Sequence, residues 1–363
     1  MITTRVALPV ALLVLSASLL TACGSNTNSA TSPSANSNIS CATGSIKASG
    51  STAQKNAMGD WINAYQAACT GATINYSGTG SAAGITDFTN NQIAFAGSDS
   101  ALKAAQAVTA DARCATGKAI DIPMVAGAIA LAYNVPGVSK LILDPATAAK
   151  IFASKITKWN DPAIVALNPG VTLPSASIAQ YHRSDGSGTT DNFSKWLAAA
   201  AGSDWTFGTG KTWTAPGGQG SKGSDGVASS VGSTPNSIGY MELSFAQNAN
   251  LAFAEIDNGA GPVTLTSDSA GQALAVASIT GSGNDLALKF DYATKTAGVY
   301  PIVLVTYEIT CEKGLAADQL ALVKSFLTYT SSAAAQANLA KSGYIPLPAG
   351  LLNKVQTAVA ALA

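Results

Sequence analysis

Apolar positions in this chain fall into short runs separated by glycine-rich turns. Residues 45–49 read as a strand, and Gly50-Ser51-Thr52-Ala53 follows them. Met58, Trp61, Ile62, Tyr65 and Ala68 then recur at three- and four-residue spacing, which predicts a helix. Residues 72–76 alternate as a second strand, and Gly78-Thr79-Gly80-Ser81-Ala82-Ala83-Gly84 leads into a helix carrying Ile85 and Phe88. Residues 93–96 predict a third strand ending in Gly97-Ser98-Asp99-Ser100. The bland role for Asp99 is the N-cap of a helix over 101–107. Strand, helix, strand, helix, strand predicts a parallel α/β domain with right-handed crossovers.

The long apolar stretch 120–135, interrupted by Pro123 and Gly127, is a candidate connection between domains. Residues 146–152 predict a helix, and Trp159 after it reads as packing. Residues 178–182 predict a strand that delivers Arg183. His182 precedes Arg183 in that strand, so its side chain points to the other face, structural or exposed. Between 202 and 240 the chain is rich in Gly, Ser, Thr and Lys, with Trp205, Phe207 and Trp213 as anchors. A short helix from Val227 and a strand over 237–241 follow. Residues 251–298 read as a strand, a helix and a polar loop. Residues 300–309 predict a strand long enough to return the chain to the first domain. Helices over 316–329 and 333–339, and one from Ala349, end the chain.

The chemistry gathers at Arg183-Ser184-Asp185-Gly186-Ser187-Gly188-Thr189. A fixed cation precedes a Gly/Ser turn, and Asp191, Asn192, Phe193, Trp196 and Leu197 predict a helix behind it. A helix start offers free N–H groups and the positive end of a dipole. With the hydroxyls of Ser187 and Thr189, this suits a tetrahedral anion. Taken alone it could equally be an ordinary turn capped by Asp185. Three such strand-to-helix turns at the open ends of strands sharpen the anion hypothesis.

Composition narrows the function. The chain has 363 residues, is 47% apolar and only 11% charged, with Lys plus Arg equal to Asp plus Glu at 20 each. That length suits two domains, and the zero balance argues against nucleic acid. Residues 1–23 form a targeting segment: Arg5, an apolar run, then Leu20-Thr21-Ala22-Cys23, similar to a bacterial lipobox in which Cys23 is lipidated. Residues 24–40 cannot bury a core and read as a tether. Four cysteines remain, an even number that suits disulfides in an exported chain. With one histidine and no C-x-x-C pair, a metal site is not expected.

Taken together and in order, Gly50-Ser51-Thr52, Gly78-Thr79-Gly80-Ser81, Gly97-Ser98-Asp99, Lys155-Ile156-Thr157-Lys158-Trp159-Asn160-Asp161-Pro162, Arg183 through Thr189 and Tyr300-Pro301 resemble the phosphate-binding lipoprotein of the bacterial high-affinity phosphate ABC transporter, in an actinobacterial-like form. The resemblance covers about residues 42–345. It implies an α/β, two-lobed periplasmic-binding-protein fold (type II) with a hinge, lobe I being 41–127 and 300–363 and lobe II 128–299. It implies inorganic phosphate held by Thr52, the Ala53 amide, Ser81, Arg183, Ser187, the Gly188 amide and Thr189. By the same resemblance, Asp99 would accept a hydrogen bond from the proton that phosphate carries, and Asp185 would pair with Arg183 and hold its guanidinium in place. Many members carry Phe at the Ala53 position, so an aromatic wall is missing here. The implied protein is a monomer with no cofactor, lipid-anchored on the extracytoplasmic face of the cell membrane, serving the permease subunits of an ABC transporter.

Cys41 and Cys69 precede neighbouring parallel strands, which predicts Cys41–Cys69. Cys114–Cys311 follows partly by elimination. A Ser–His–Asp hydrolase is the competing enzyme reading, but Gly78 to Ala82 lacks the Gly-x-Ser-x-Gly form and His182 faces away from Arg183. Sulfate or molybdate would also suit neutral turns and one Arg, with Asp99 discriminating. A surface-adhesion role stays open on the anion site alone.

Overall fold

The computed structural model describes residues 39–363. The targeting segment, Cys23 and the tether up to residue 38 lie outside the described residues.

Strand β1 (Gly44–Gly50) leads into helix α1 (Lys55–Ala68), which buries Ala57, Met58, Trp61 and Tyr65. Strand β2 (Ala72–Gly78) and helix α2 (Ser81–Thr89) repeat the unit. Strand β3 (Phe95–Ser98) and helix α3 (Ala104–Arg113) complete it. β1 lies between β2 and β3, parallel to both, as the alternation of elements predicts. The predicted helix over 101–107 is displaced: α3 starts at Ala104 behind Lys103. Asp99 therefore caps nothing, because its carboxylate is used elsewhere.

Strand β4 (Ala119–Asn134) is a single strand, buried from Ile120 to Tyr133. Then come β5 (Ile142–Leu143), α4 (Pro145–Phe152), α5 (Pro162–Leu167), β6 (Ala179–Arg183) and α6 (Gly188–Ala200). Strand β7 (Gln219–Ser221) runs into α7 (Gly223–Ser233), four residues earlier than the Val227 start predicted. Strand β8 (Ser237–Glu242) and α8 (Leu243–Asn248) follow. The stretch expected as strand, helix and loop is richer: β9 (Ala252–Phe253), β10 (Glu255–Asp257), β11 (Pro262–Val263), α9 (Ser267–Ala275) and the pair β12 (Ser278–Ile279) and β13 (Leu288–Lys289). Strand β14 (Val303–Cys311) and helices α10 (Ala317–Thr330), α11 (Ala333–Leu339) and α12 (Ala349–Ala360) close the chain.

The main sheet runs β2-β1-β3-β14-β4-β8-β6-β7. It is mixed, not wholly parallel. β14 is antiparallel to β3 and to β4, and β4 is antiparallel to β8. β4 changes partner along its length: Ala119 to Ala128 pair with β14, and Ile129 to Asn134 pair with β8. The β4–β14 register shifts between Thr306 and Tyr307, where Pro123 faces Tyr307. The extra residue is Met124, so the bulge lies in β4 beside Pro123, which has no N–H for the ladder.

Two aromatic clusters anchor the sheet on either side of that changeover. Tyr65 meets Phe326 of α10 edge-on at 5.4 Å between centroids, and Phe95 stacks on Phe326 at 6.3 Å. Phe193 of α6 stacks on Tyr240 of β8 at 4.4 Å and meets Phe152 at 4.8 Å. Trp159 is fully buried, and its indole N–H donates to Asn236 O at 3.0 Å, a packing role. His182 is partly buried and stacks on Trp213 at 5.1 Å. The disulfides are Cys41–Cys69 and Cys114–Cys311.

Candidate anion-binding site

Four helices begin at one place. The Gly50–Ala53 turn precedes α1, Ser81 is the first residue of α2, Gly188 and Thr189 open α6, and Gly223 and Ser224 open α7. Each helix start leaves backbone donors unsatisfied along a favourable dipole. Close approach requires glycine at two of these turns. Gly50 has φ 136° and a Cβ there would collide with Gly97 O. A Cβ on Gly188 would stand 2.6 Å from Asp99 Cβ and 2.7 Å from Ser81 Oγ.

Asp99 sits at the centre, 2% exposed. Its Oδ1 accepts from Ser51 Oγ and, at 2.7 Å, from Thr306 Oγ1. Its Oδ2 receives only the longer contacts of Ser81 Oγ and Thr189 Oγ1, both 3.4 Å. Oδ2 is thus the oxygen with room for another donor. Burial raises the Asp99 carboxyl above its ordinary value, while the Ser51 and Thr306 hydroxyls and the charges of Arg183 and Lys211 pull it back. Ser81 Oγ also accepts from the N–H of Asp99 and of Gly188, each at 3.2 Å.

Arg183 is equally buried at 2%. Asp185 takes two of its donors, Nε at 2.8 Å and Nη2 at 2.5 Å, in a fork-to-fork pair. Burial works to raise Asp185, but the hydrogen bond and charge of Arg183, with the Gly223 N–H at 3.0 Å, outweigh it and hold the carboxyl below its ordinary range. Nη1 of Arg183 remains, reaching Ser224 Oγ at 3.4 Å and Thr189 Oγ1 at 3.5 Å. The guanidinium is therefore oriented by Asp185 and presents its free edge to the hydroxyls. Tyr240, held by the second aromatic cluster, accepts from Arg183 N at 3.1 Å and bonds Thr190 Oγ1 at 2.6 Å, locking strand and helix together.

Thr52 Oγ1 accepts from Ser224 N at 3.2 Å and lies 3.2 Å from Ser224 Oγ. Ala53 N donates to Ser51 Oγ at 3.0 Å, and Ala53 O accepts from Tyr344 OH at 2.7 Å. Ser187 is the N-cap of α6: its hydroxyl accepts from Thr190 N at 3.2 Å, leaving its own proton to offer. Thr52, Ser81, Asp99, Arg183, Thr189 and the Gly188 amide converge. Ser187 and the Ala53 amide stand at the margin of the hydrogen-bonded cluster.

Sequence reasoning missed Ser51, Thr306, Gly223 and Ser224. Ser224 had a readable signal. Gly223-Ser224-Asp225-Gly226 is another glycine-rich strand-to-helix turn, hidden in a stretch rich in the same residues.

A cavity of about 540 Å³ adjoins the cluster, lined by Asp99, Lys103, Asp191, Asn192, Lys195 and Tyr292 among others. Asn192 Nδ2 donates to Asp99 O at 2.6 Å and Gly188 O at 2.8 Å, and Tyr292 OH donates to Asn192 Oδ1.

The chain matches the family model described as a PBP superfamily domain over residues 30–334. It is 46% identical to phosphate-binding protein PstS 3 of Mycobacterium tuberculosis, with 98% of each chain covered. It is 44% identical to its counterpart in Mycobacterium leprae, with 97% of each covered. Among solved structures, it superposes on a high affinity periplasmic phosphate-binding protein with TM-score 0.71 and 22% identity, covering 86% of this chain and 93% of that one. A substrate-binding protein from Clostridium perfringens gives TM-score 0.62 at 20% identity, covering 84% of this chain and all of the other. These matches and the shared α/β architecture place the chain in the PBP superfamily, and within it in the PstS family of phosphate-binding proteins.

Proposed function

We propose that this protein captures inorganic phosphate outside the cytoplasm and presents it to the permease subunits of a phosphate ABC transporter. One observation carries the reading: the starts of four helices, a locked arginine and a carboxylate with one free oxygen meet in one buried place. A tetrahedral oxyanion that carries a proton fits that donor set. Its oxygens take N–H and O–H donors from Thr52, Ala53, Ser81, Arg183, Ser187, Gly188, Thr189 and Ser224. Its proton goes to Asp99 Oδ2. A buried dianion needs many such partners because its desolvation is costly.

The lobes are residues 41–127 with 300–363, and residues 128–299. The partner change of β4 between Ala128 and Ile129 supports that division. Thr52–Ser224, Asp99–Thr189 and Ser100–Asp191 bonds cross between them, so anion release requires those contacts to open. The protein acts as a monomer, anchored through a lipid on Cys23. It has no turnover of its own: the hydroxyls and the carboxylate of the site serve as ligand donors and acceptor, and the histidine, His182, stacks on Trp213 instead.

Titration calorimetry with phosphate, arsenate, sulfate and molybdate tests the ligand. Tight binding of phosphate with sulfate far weaker is the expected result; equal binding of sulfate would overturn it. A chromogenic phosphoester should stay intact. Cys23→Ser should leave the membrane fraction, and unchanged fractionation would sink the anchor.

A further inference from the structure

Glu308 lies in the middle of β14, fully buried, and both its carboxyl oxygens lack a hydrogen-bond partner. So does Gln54 Oε1, which is also buried. These orphans are neighbours. Glu308 pairs across the sheet with Gly97, and a Cβ on Gly97 would collide with Gln54 Nε2 and Tyr76 OH. Directly opposed residues share one face of a sheet.

Counting hydrogens fixes the arrangement. Tyr76 has one hydroxyl proton, and it goes to Ser51 O at 2.6 Å. Its oxygen can then only accept, and it accepts from Gln54 Nε2 at 3.0 Å. The Gln54 side chain lies within hydrogen-bond reach of Glu308, and its Oε1 stays buried and in want of a donor. An ionised carboxylate is acceptor-only and would leave three buried acceptors unmatched. A carboxylic acid supplies the missing proton.

We propose that Glu308, as a neutral carboxylic acid donating to Gln54 Oε1, is a positioning residue for the anion site. It acts through Gln54, Tyr76 and Ser51 on the turn that carries Thr52 and Ala53. This assignment rests on the phosphate-binding reading. Ser51 links the chain onward, since its Oγ donates to Asp99 Oδ1. The titratable groups facing Glu308 are Asp99 beyond β3 and Tyr76 on β2; β4 places Ile122 opposite it. Burial pushes its carboxyl up to about 8, with the Asp99 charge adding to it; an N–H from Gln54 would oppose the rise, whereas Oε1 accepting from the acid supports it. Above that pH the brace loses its proton, and a second negative charge appears beside Asp99.

The test is phosphate titration of the full chain and of Glu308→Gln from well below to well above pH 8. Gln carries an N–H for Gln54 Oε1 and cannot ionise. One pH unit past the midpoint leaves about a tenth of the molecules competent, so the ratio of parent to variant dissociation constants should rise about tenfold. A ratio that does not change with pH overturns the proposal. An infrared C=O band of a protonated carboxylic acid in the parent at neutral pH that is weakened in Glu308→Gln, Asp121 and Glu242 keeping theirs, is the second readout. Its absence from the parent overturns the proposal even where the variant fails to fold. A parent that binds no phosphate at any pH refutes the functional reading instead, and the infrared band still decides the proton on Glu308.

Discussion

Asp99→Asn separates a proton-reading site from a merely cationic one. The change is isosteric. Ser51 Oγ and Thr306 Oγ1 both donate to Oδ1, so an amide keeps its oxygen there and turns its NH2 to the Oδ2 position. That position faces Ser81, Thr189 and the proposed ligand. In the parent, sulfate would place an unprotonated oxygen against a carboxylate, whereas phosphate donates its proton. Sites built on a required hydrogen bond reject ligands lacking it by roughly 10⁴–10⁵, or about 5.5–7 kcal/mol. The amide removes the repulsion and offers sulfate a donor. Phosphate loses a charge-assisted bond worth about 1.5–3 kcal/mol, one to two decades in affinity. Calorimetry with both anions on both proteins should show sulfate tightening and phosphate weakening, so that the ratio collapses. A ratio that survives while only the melting temperature moves would mean that Asp99 is structural and the proton is read elsewhere.

Three further outcomes are expected. Arg183→Ala should weaken phosphate by about 2–5 kcal/mol in the same titration, since a buried charge partner is lost; unchanged affinity would show that the free Nη1 edge does not face the ligand. Ser224→Ala removes a hydroxyl between Thr52 and Arg183 and should cost about 0.5–1.5 kcal/mol of affinity, with the fold's melting temperature little changed. Thermal melting against pH should bend in two windows of opposite sign. Asp185 is depressed in the fold, so its stabilisation is present above its unfolded value near 3.9 and lost as pH falls through the lower folded value. Glu308 is raised, so its contribution is greatest below 4.5 and declines as pH climbs towards about 8; Asp121 and Glu242 are raised as well, so Glu308→Gln should make the second window shallower and spare the first.

The strand-turn-helix units of the first third of the chain were legible because glycine and polar clusters bound each apolar run. The Arg183–Thr189 turn was legible for the same reason, and its local Arg183–Asp185 pair is two residues apart. Three features were not. The antiparallel course of β14 depends on which edge the returning strand meets, and no local pattern encodes that. Ser224 lay in a stretch whose composition conceals its turn. Thr306 and Glu308 sit inside an otherwise apolar run, where period-two spacing marks a shared face but not what that face meets. For Asp99 the sequence left a bland capping role beside the site role; the capping role falls away, because the hydroxyls of Ser51 and Thr306 engage its carboxylate and α3 starts elsewhere.

Attraction of net charge does not explain this site. Arg183 is the one cation inside the described hydrogen-bonded cluster, and Asp185 already matches it through two bonds. Asp99, when ionised, offsets the nearby charge of Lys211, so an incoming anion meets no large excess of positive charge. On the proposed reading, what favours it is short-range: hydroxyl protons, backbone N–H groups and four helix starts, each oriented by the element that carries it. Such donors act only at hydrogen-bond distance, and each counts whether an oxygen is present and whether it bears a proton. A cationic pocket would bind sulfate and phosphate alike. A cage of neutral donors with one carboxylate inside it would tell them apart, and a neutral Glu308 beneath it, as proposed, would keep a second carboxylate from spoiling that count.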